Sequence, residues 1–166
     1  MRKNYSLVIA LSISLFIYVF YRTDKTAVNQ LFIYFLSLES YILIKNIVVS
    51  AIPLKGAIVY SLPGGLWVFC ATTLAHRFYF RFRHHKIQIG LLPVLFAVGL
   101  EFCQLTRLTP GIFDVGDVTF YVIGWMLSSA LFNSLRPNQN ILSPLTLNGF
   151  TCLSCFFCVF LAHVSR

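Results

Sequence analysis

The chain has 166 residues, of which 58% are hydrophobic and only 11% charged, and it carries a net charge of +8. A water-soluble domain has about 25% charged residues, so this composition excludes an ordinary soluble domain and points to lipid as the main solvent. The 13 Lys and Arg collect in short breaks between apolar stretches, with no basic face of exposed aromatics, which argues for membrane lipids as partners and against nucleic acid.

At roughly 20 apolar residues per crossing, the chain reads as an all-α polytopic transmembrane helical bundle with five or six membrane segments and no soluble domain. The first is 5–21, led by Arg2 and Lys3. It has the charge and length of a signal peptide, but no small-x-small cleavage site follows, so it reads as a retained helix. Segment 31–50 is long enough to cross and carries Glu39, Lys45 and Asn46. It either spans with Glu39 turned toward protein or lies tilted at the interface, and the lack of a polar stripe favours spanning. Residues 51–65 hold Pro53, Gly56, Pro63, Gly64 and Gly65, so a break or re-entrant turn is expected, with the next helix over 63–76.

HRFYFRFRHHK, residues 76–86, is the densest charge cluster and contains no acid. Arg77, Arg81, Arg83 and Lys86 read as topology markers on the cytoplasmic side, with Phe78, Tyr79, Phe80 and Phe82 at the headgroup belt. Spans follow at 87–105, 117–135 and 147–164. In the second of these, Gly124 and Ser128 have the small-xxx-small spacing of closely packed helices. Cys152, Cys155 and Cys158 are spaced like a soft metal ligand set, but an apolar stretch with no polar entry route favours packing, so no metal is assigned. The multi-pass pattern places the protein in the inner or cytoplasmic membrane. Alternation of the spans puts loop 106–116 on the outer face.

The chemistry-bearing stretch is EFCQLTRLTPGIFDVGD, residues 101–117, with Glu101, Asp114 and Asp117, three of the five acids of the chain. Glu101 and Gln104 share a helix face, and Arg107 lies two turns beyond Glu101. Asp114 or Asp117 suits the cap of the following helix. Glu101, among Leu100, Phe102 and Cys103, is expected either to be neutralised by Arg107 or to have its pKa shifted upward. These five residues form either a structural ion-pair network or a polar ligand-binding pocket.

Glu101–Ser128 resembles the VanZ-like family of small bacterial membrane proteins. Glu101 and Gln104 match its ExxQ, Arg107 its arginine, Asp114 and Asp117 its acids, Gly124 its first helix glycine, and Ser128 its second small residue. Tyr121 stands where the family often has Asn, and YSLPGGLW replaces a Lys and a His. The resemblance covers about a quarter of the chain by motif. It implies an outward-facing polar pocket at the bacterial envelope in a family linked to teicoplanin resistance. An envelope lipid or amphiphile is then the expected ligand, with Arg107 on its phosphate or carboxylate.

Two alternatives stand beside that reading. One is a membrane-embedded enzyme acting on a lipid or polyprenyl phosphate, with Glu101 as general acid and Asp117 as base or cation ligand. No activated Ser, Cys or His supports covalent catalysis at this face. The other is a structural or transport-associated membrane protein, although no internal repeat supports transport. No glycine-rich phosphate loop or CxxCH is present, so no cofactor is expected.

Overall fold

Most of the apolar stretches become helices, but several breaks fall elsewhere than hydropathy suggests. The computed structural model describes residues 2–23, 27–82, 85–109, 111–132, 139–141, 146–147 and 149–154. In order these form α1 (Arg2–Tyr21), α2 (Ala27–Leu36), α3 (Leu38–Ala51), α4 (Gly56–Ala75), β1 (Phe78–Phe82), β2 (His85–Gln88), a 3-10 turn (Ile89–Leu91), α5 (Leu92–Leu105), α6 (Val115–Phe132) and β3 (Gln139–Asn140). Residues 149–154 are also helical. The chain divides into two compact units, Met1–Gly64 and Gly65–Arg166.

In the first unit α1, α2 and α3 pack on one another. Segment 31–50 is not one helix. Ser37 has a φ of 67°, which breaks the helical hydrogen-bond pattern, and the helices on either side are bent by 118°. The break gives Glu39 a place in the first turn of α3, where the positive end of the helix dipole favours a carboxylate. The buried Tyr41 hydroxyl donates to Val19 O at 2.8 Å and ties α3 to α1.

α4 begins at Gly56 and continues through Pro63, so the expected break over 51–65 shrinks to a few residues before Gly56. Pro63 lacks an N–H, so the helix forgoes one i→i−4 hydrogen bond there, a defect apolar helices tolerate when their surroundings compensate.

In the second unit the basic cluster contributes two antiparallel strands, Phe78–Phe82 and His85–Gln88, and is not simply a loop between spans. Tyr79 pairs with Gln88 and Arg81 with Lys86, and β3 adds in parallel on the other edge of β1. The alternation in FYFRF explains it: Phe78 and Phe80 face a core of Ala75, Ile89, Ile141 and Cys152, while Arg81 is exposed. Lys86 lies over the Tyr79 ring at 5.1 Å. Arg77 and Lys86 are exposed as well. Arg83 lies outside the described residues, as do Cys155, Cys158 and residues 155–164 of the expected last span.

α4 and α6 are joined through their smallest residues. A methyl group on Gly65 would stand 2.7 Å from Phe120 O, and one on Gly124 would overlap the Gly65 carbonyl. Further along, Thr73 Oγ1 lies 2.8 Å from Ser128 Oγ and donates to Phe69 O at 2.7 Å. A hydroxyl has one proton, so Ser128 is the donor of the interhelical bond. Gly65 meets 120–124 and Thr73 meets 128, so the two helices run parallel. The chain between them must therefore return along their length, which the turn and α5 accomplish. Val68, Val94, Ala97 and Tyr121 form the core of this arrangement.

The expectation of five or six membrane segments is corrected here. Among the described residues two helices are long and apolar enough to cross a membrane, Gly56–Ala75 and Val115–Phe132, or three if the bent α2–α3 pair counts as one span. Tyr5–Tyr21 and Ile89–Leu105 are apolar but shorter. The expected multi-pass placement in the inner or cytoplasmic membrane, which rested on those segments, is withdrawn with them.

Candidate functional site

The polar stretch 101–117 builds a connector between two antiparallel helices. α5 ends in a Schellman motif: Arg107 N–H donates to Gln104 O at 3.0 Å and Leu108 N–H to Cys103 O at 2.8 Å. This requires a left-handed residue at Arg107, whose φ is 59°. Arg107 is exposed, and its cation lies at the negative end of the helix dipole. At the other end Asp114 caps α6, its Oδ1 accepting the Gly116 N–H at 2.7 Å.

Between the two caps stands Glu101, only 1% exposed. Tyr121 donates its hydroxyl proton to Glu101 Oε1 at 3.2 Å, and the Asp114 N–H approaches Oε2 at 3.4 Å. With the Gln104 amide turned so that its nitrogen, and not its oxygen, faces the acceptors around it, it donates to Glu101 Oε2 at 3.3 Å and to Ile112 O at 3.2 Å. Gly111 has a φ of +135°, an angle that favours glycine, and a methyl group there would stand 2.7 Å from Gln104 Cδ and push that amide aside. The ExxQ pair thus grips the backbone of residues 112 and 114 and seats the loop on α5.

Asp117 lies one turn before Tyr121, with its Oδ1 enclosed and unpartnered. It and Asp114 are close enough to act on the charge of Glu101, whereas Arg107 is not among the groups that do. Among the described residues no cluster of His, Cys, Asp and Glu has the makings of a metal site. Of the five expected ligand-binding residues, Glu101, Gln104 and Asp114 are brought into one hydrogen-bonded network, Asp117 lies beside it, and Arg107 points elsewhere as a helix terminator. The expected Glu101–Arg107 ion pair gives way to hydrogen bonds. Tyr121 is the participant that sequence reading passes over. Its signal is the spacing Asp117, Tyr121, Gly124, Ser128, which follows one face of α6.

Gly124 and Ser128 both lie at the α4–α6 contact and are buried. No family model, curated protein or solved structure matches this chain. The expectation of a polytopic envelope protein with an outward-facing pocket is corrected by the helices themselves, while the comparisons neither support nor contradict the family resemblance. Among the described residues two helices, or three if the bent α2–α3 pair is one span, are long and apolar enough to cross a membrane, and Glu101 is closed in by donors of its own chain.

Removing the Tyr121 hydroxyl tests the network. Tyr121→Phe should cost about 1–2 kcal/mol, because a buried carboxylate oxygen loses its donor. Glu101→Ala should cost more, about 2–4 kcal/mol, adding a cavity to the lost bonds. Thermal unfolding of both single variants and the double variant in detergent forms a cycle, and simple additivity would show that the two groups do not interact.

Proposed function

We propose that this chain is a small membrane-anchored helical protein, held in a bilayer by the α4–α6 pair, in which the Glu101 network is a clasp that fixes the α5–α6 connection and is not a reaction centre. The observation that carries this reading is the inverted pattern of α6. Its small and polar residues Tyr121, Gly124 and Ser128 are buried, whereas Ile123, Met126, Leu127 and Leu131 are 45–63% exposed. In water such a face would be an aggregation hazard, and in hydrocarbon it is the ordinary outer surface. α1 supports the reading in the same way, with Val8, Ile9 and Leu11 more than half exposed.

The clasp reading follows from where the bonds go. Each donor to Glu101 belongs to the connector or to a helix it joins, and the two ends of the connector are capped by their own backbone and side chains. A carboxylate in so apolar a setting is retained when it organises structure around it.

Expression of the tagged full chain followed by an alkaline carbonate wash is the direct test. The protein should remain in the membrane pellet and enter solution only with detergent. Recovery in the carbonate supernatant would refute the anchor.

A further inference from the structure

The strand pair β1–β2 presents two cations side by side. Phe78 is 2% exposed, and Phe80 packs with it against the core. Alternation then sets Tyr79 and Arg81 on the opposite face. The register places Gln88 across from Tyr79 and Lys86 across from Arg81, and opposed residues share a face. Arg81, Lys86 and Gln88 are exposed. A slip of β1 by one residue would turn Arg81 into the core and both phenylalanines out of it, so the buried face locks the arrangement.

Like charges directly opposite one another destabilise a strand pair. Lys86 relieves part of this by leaning over the Tyr79 ring, its Nζ 5.1 Å from the centroid. A ring face attracts an ammonium without removing its three protons, so Lys86 keeps donors to offer. An acid would neutralise the pair, and this unit places none beside it. Every acidic side chain after residue 64 lies in the connector stretch, at Glu101, Asp114 and Asp117. β2 joins α5 through a three-residue turn, and Glu101 lies nine residues beyond Leu92, about 14 Å along α5 at 1.5 Å per residue. Exposed charges in physiological salt are screened beyond about 8 Å.

The position of the pair says which kind of anion would take that place. β1 starts shortly after α4 ends at Ala75, and Phe78 packs on Ala75. α6 finishes at the same end, since Thr73 meets Ser128 and the Phe69 ring lies 6.3 Å from that of Phe132. In the anchor reading the strand pair therefore stands where α4 and α6 leave the hydrocarbon. That is the depth of the headgroups, where tyrosines concentrate and Arg and Lys reach phosphates. Opposed residues have Cβ atoms about 5 Å apart, so both side chains can reach the oxygens of one phosphate, Arg81 through its planar fork. A nucleic-acid site draws on about 6–10 phosphate contacts, whereas this face pairs two cations.

We propose that Arg81 and Lys86 together bind the phosphate of an anionic phospholipid at the membrane surface, the anion taking the place an acid would fill between them. The inference rests on the membrane-anchor reading and adds a lipid contact at one end of the anchoring helices.

The test uses the full chain, extracted from membranes in mild detergent and delipidated. It is then offered short-chain phosphatidylglycerol, short-chain phosphatidylcholine, inorganic phosphate or a short single-stranded oligonucleotide, with bound species counted by native mass spectrometry. Phosphatidylglycerol should be retained in preference to the other three. R81Q and K86Q should each lower its retention about tenfold, the scale of one hydrogen bond to a charged group. K86E separates loss of the site from loss of the fold. It sets an acid opposite Arg81, so the strands gain an attractive pair while the site loses its charge. Lipid retention should vanish in K86E while its thermal unfolding midpoint in lipid-free detergent holds or rises. K55Q, on an exposed cation just before the other end of α4, should retain lipid as the wild type does. Equal retention in wild type and K86E would overturn the proposal. So would phosphatidylcholine binding as well as phosphatidylglycerol, or inorganic phosphate or the oligonucleotide binding as tightly as the lipid. Failure of the anchor reading is separately visible, since the protein would then leave the membrane in carbonate before any lipid is offered.

Discussion

Gly124→Ala is expected to separate α4 from α6 and to be among the most damaging single methyl groups that can be added to this chain. The new carbon would overlap the Gly65 carbonyl and sit 3.3 Å from Phe69 N. Both obstacles are backbone, so no rotamer change relieves them and the helices themselves must move. Overpacking typically costs about 1–3 kcal/mol, and a backbone obstacle argues for the upper end. Moving apart also weakens the Ser128–Thr73 bond. Gly99→Ala is the matched control. It lies in α5, with nothing within 4 Å of the added methyl group, and should be neutral or stabilising by up to about 1 kcal/mol through helix propensity. Thermal unfolding of purified wild type, Gly124→Ala and Gly99→Ala in the same detergent gives the comparison. Equal midpoints for the two alanine variants would remove the close approach on which the α4–α6 pair depends.

Ile123→Arg distinguishes lipid from water around α6. Ile123 is at the middle of the helix and 45% exposed, so it faces whatever surrounds the protein. In a bilayer, an arginine at the centre of a spanning helix costs about 2.5–3.5 kcal/mol on insertion scales. On an aqueous surface the same change is worth within about 0.5 kcal/mol. The expected result is a large fall in the membrane-inserted fraction, read by carbonate resistance or by a glycosylation reporter placed after α6. An Ile123→Arg protein that is more soluble and otherwise unchanged would place α6 on an aqueous surface. The prediction is independent of the Gly124 experiment, because one residue faces inward and the other outward.

The connector between α5 and α6 shows which features of a site are local enough to read from sequence. Asp114 as a helix cap follows from an acid just before an apolar run. The shared face of Glu101 and Gln104 follows from their spacing. Both depend on atoms within about one turn of each other. The expected pairing of Glu101 with Arg107 does not hold, because the sequence separation says nothing of the left-handed turn that carries Arg107 away. That turn forms at an arginine where glycine is the usual occupant, so composition offers no warning of it. Tyr121 is passed over for a different reason. A tyrosine in an apolar helix reads as packing until a carboxylate on another helix is known to face its hydroxyl.

The misplaced boundaries have similar causes. FYFRFRHHK alternates with period two, the pattern of a half-buried strand, yet its charge makes it look like a loop between spans. Segment 31–50 has the length and hydropathy of one crossing, and a single serine with positive φ divides it. Pro63 with Gly64 and Gly65 looks like a break, yet the helix runs through them. Gly65 is needed where another backbone comes close, and not for a turn.

By itself the sequence determined the apolar runs, the polar island at 101–117 and the spacing that aligns Gly124 with Ser128, because these depend on residue type and on a helical repeat of 3.6. The tertiary structure alone decided that α4 and α6 run parallel, that Ser37 bends one apolar run into two helices, that Arg22 is held between Tyr18 and Tyr60, and that Tyr121 answers Glu101. Each of these depends on which segments meet. Hydropathy leaves that choice open, because any apolar face can pack on any other, and only close backbone contacts and directional hydrogen bonds select one pairing.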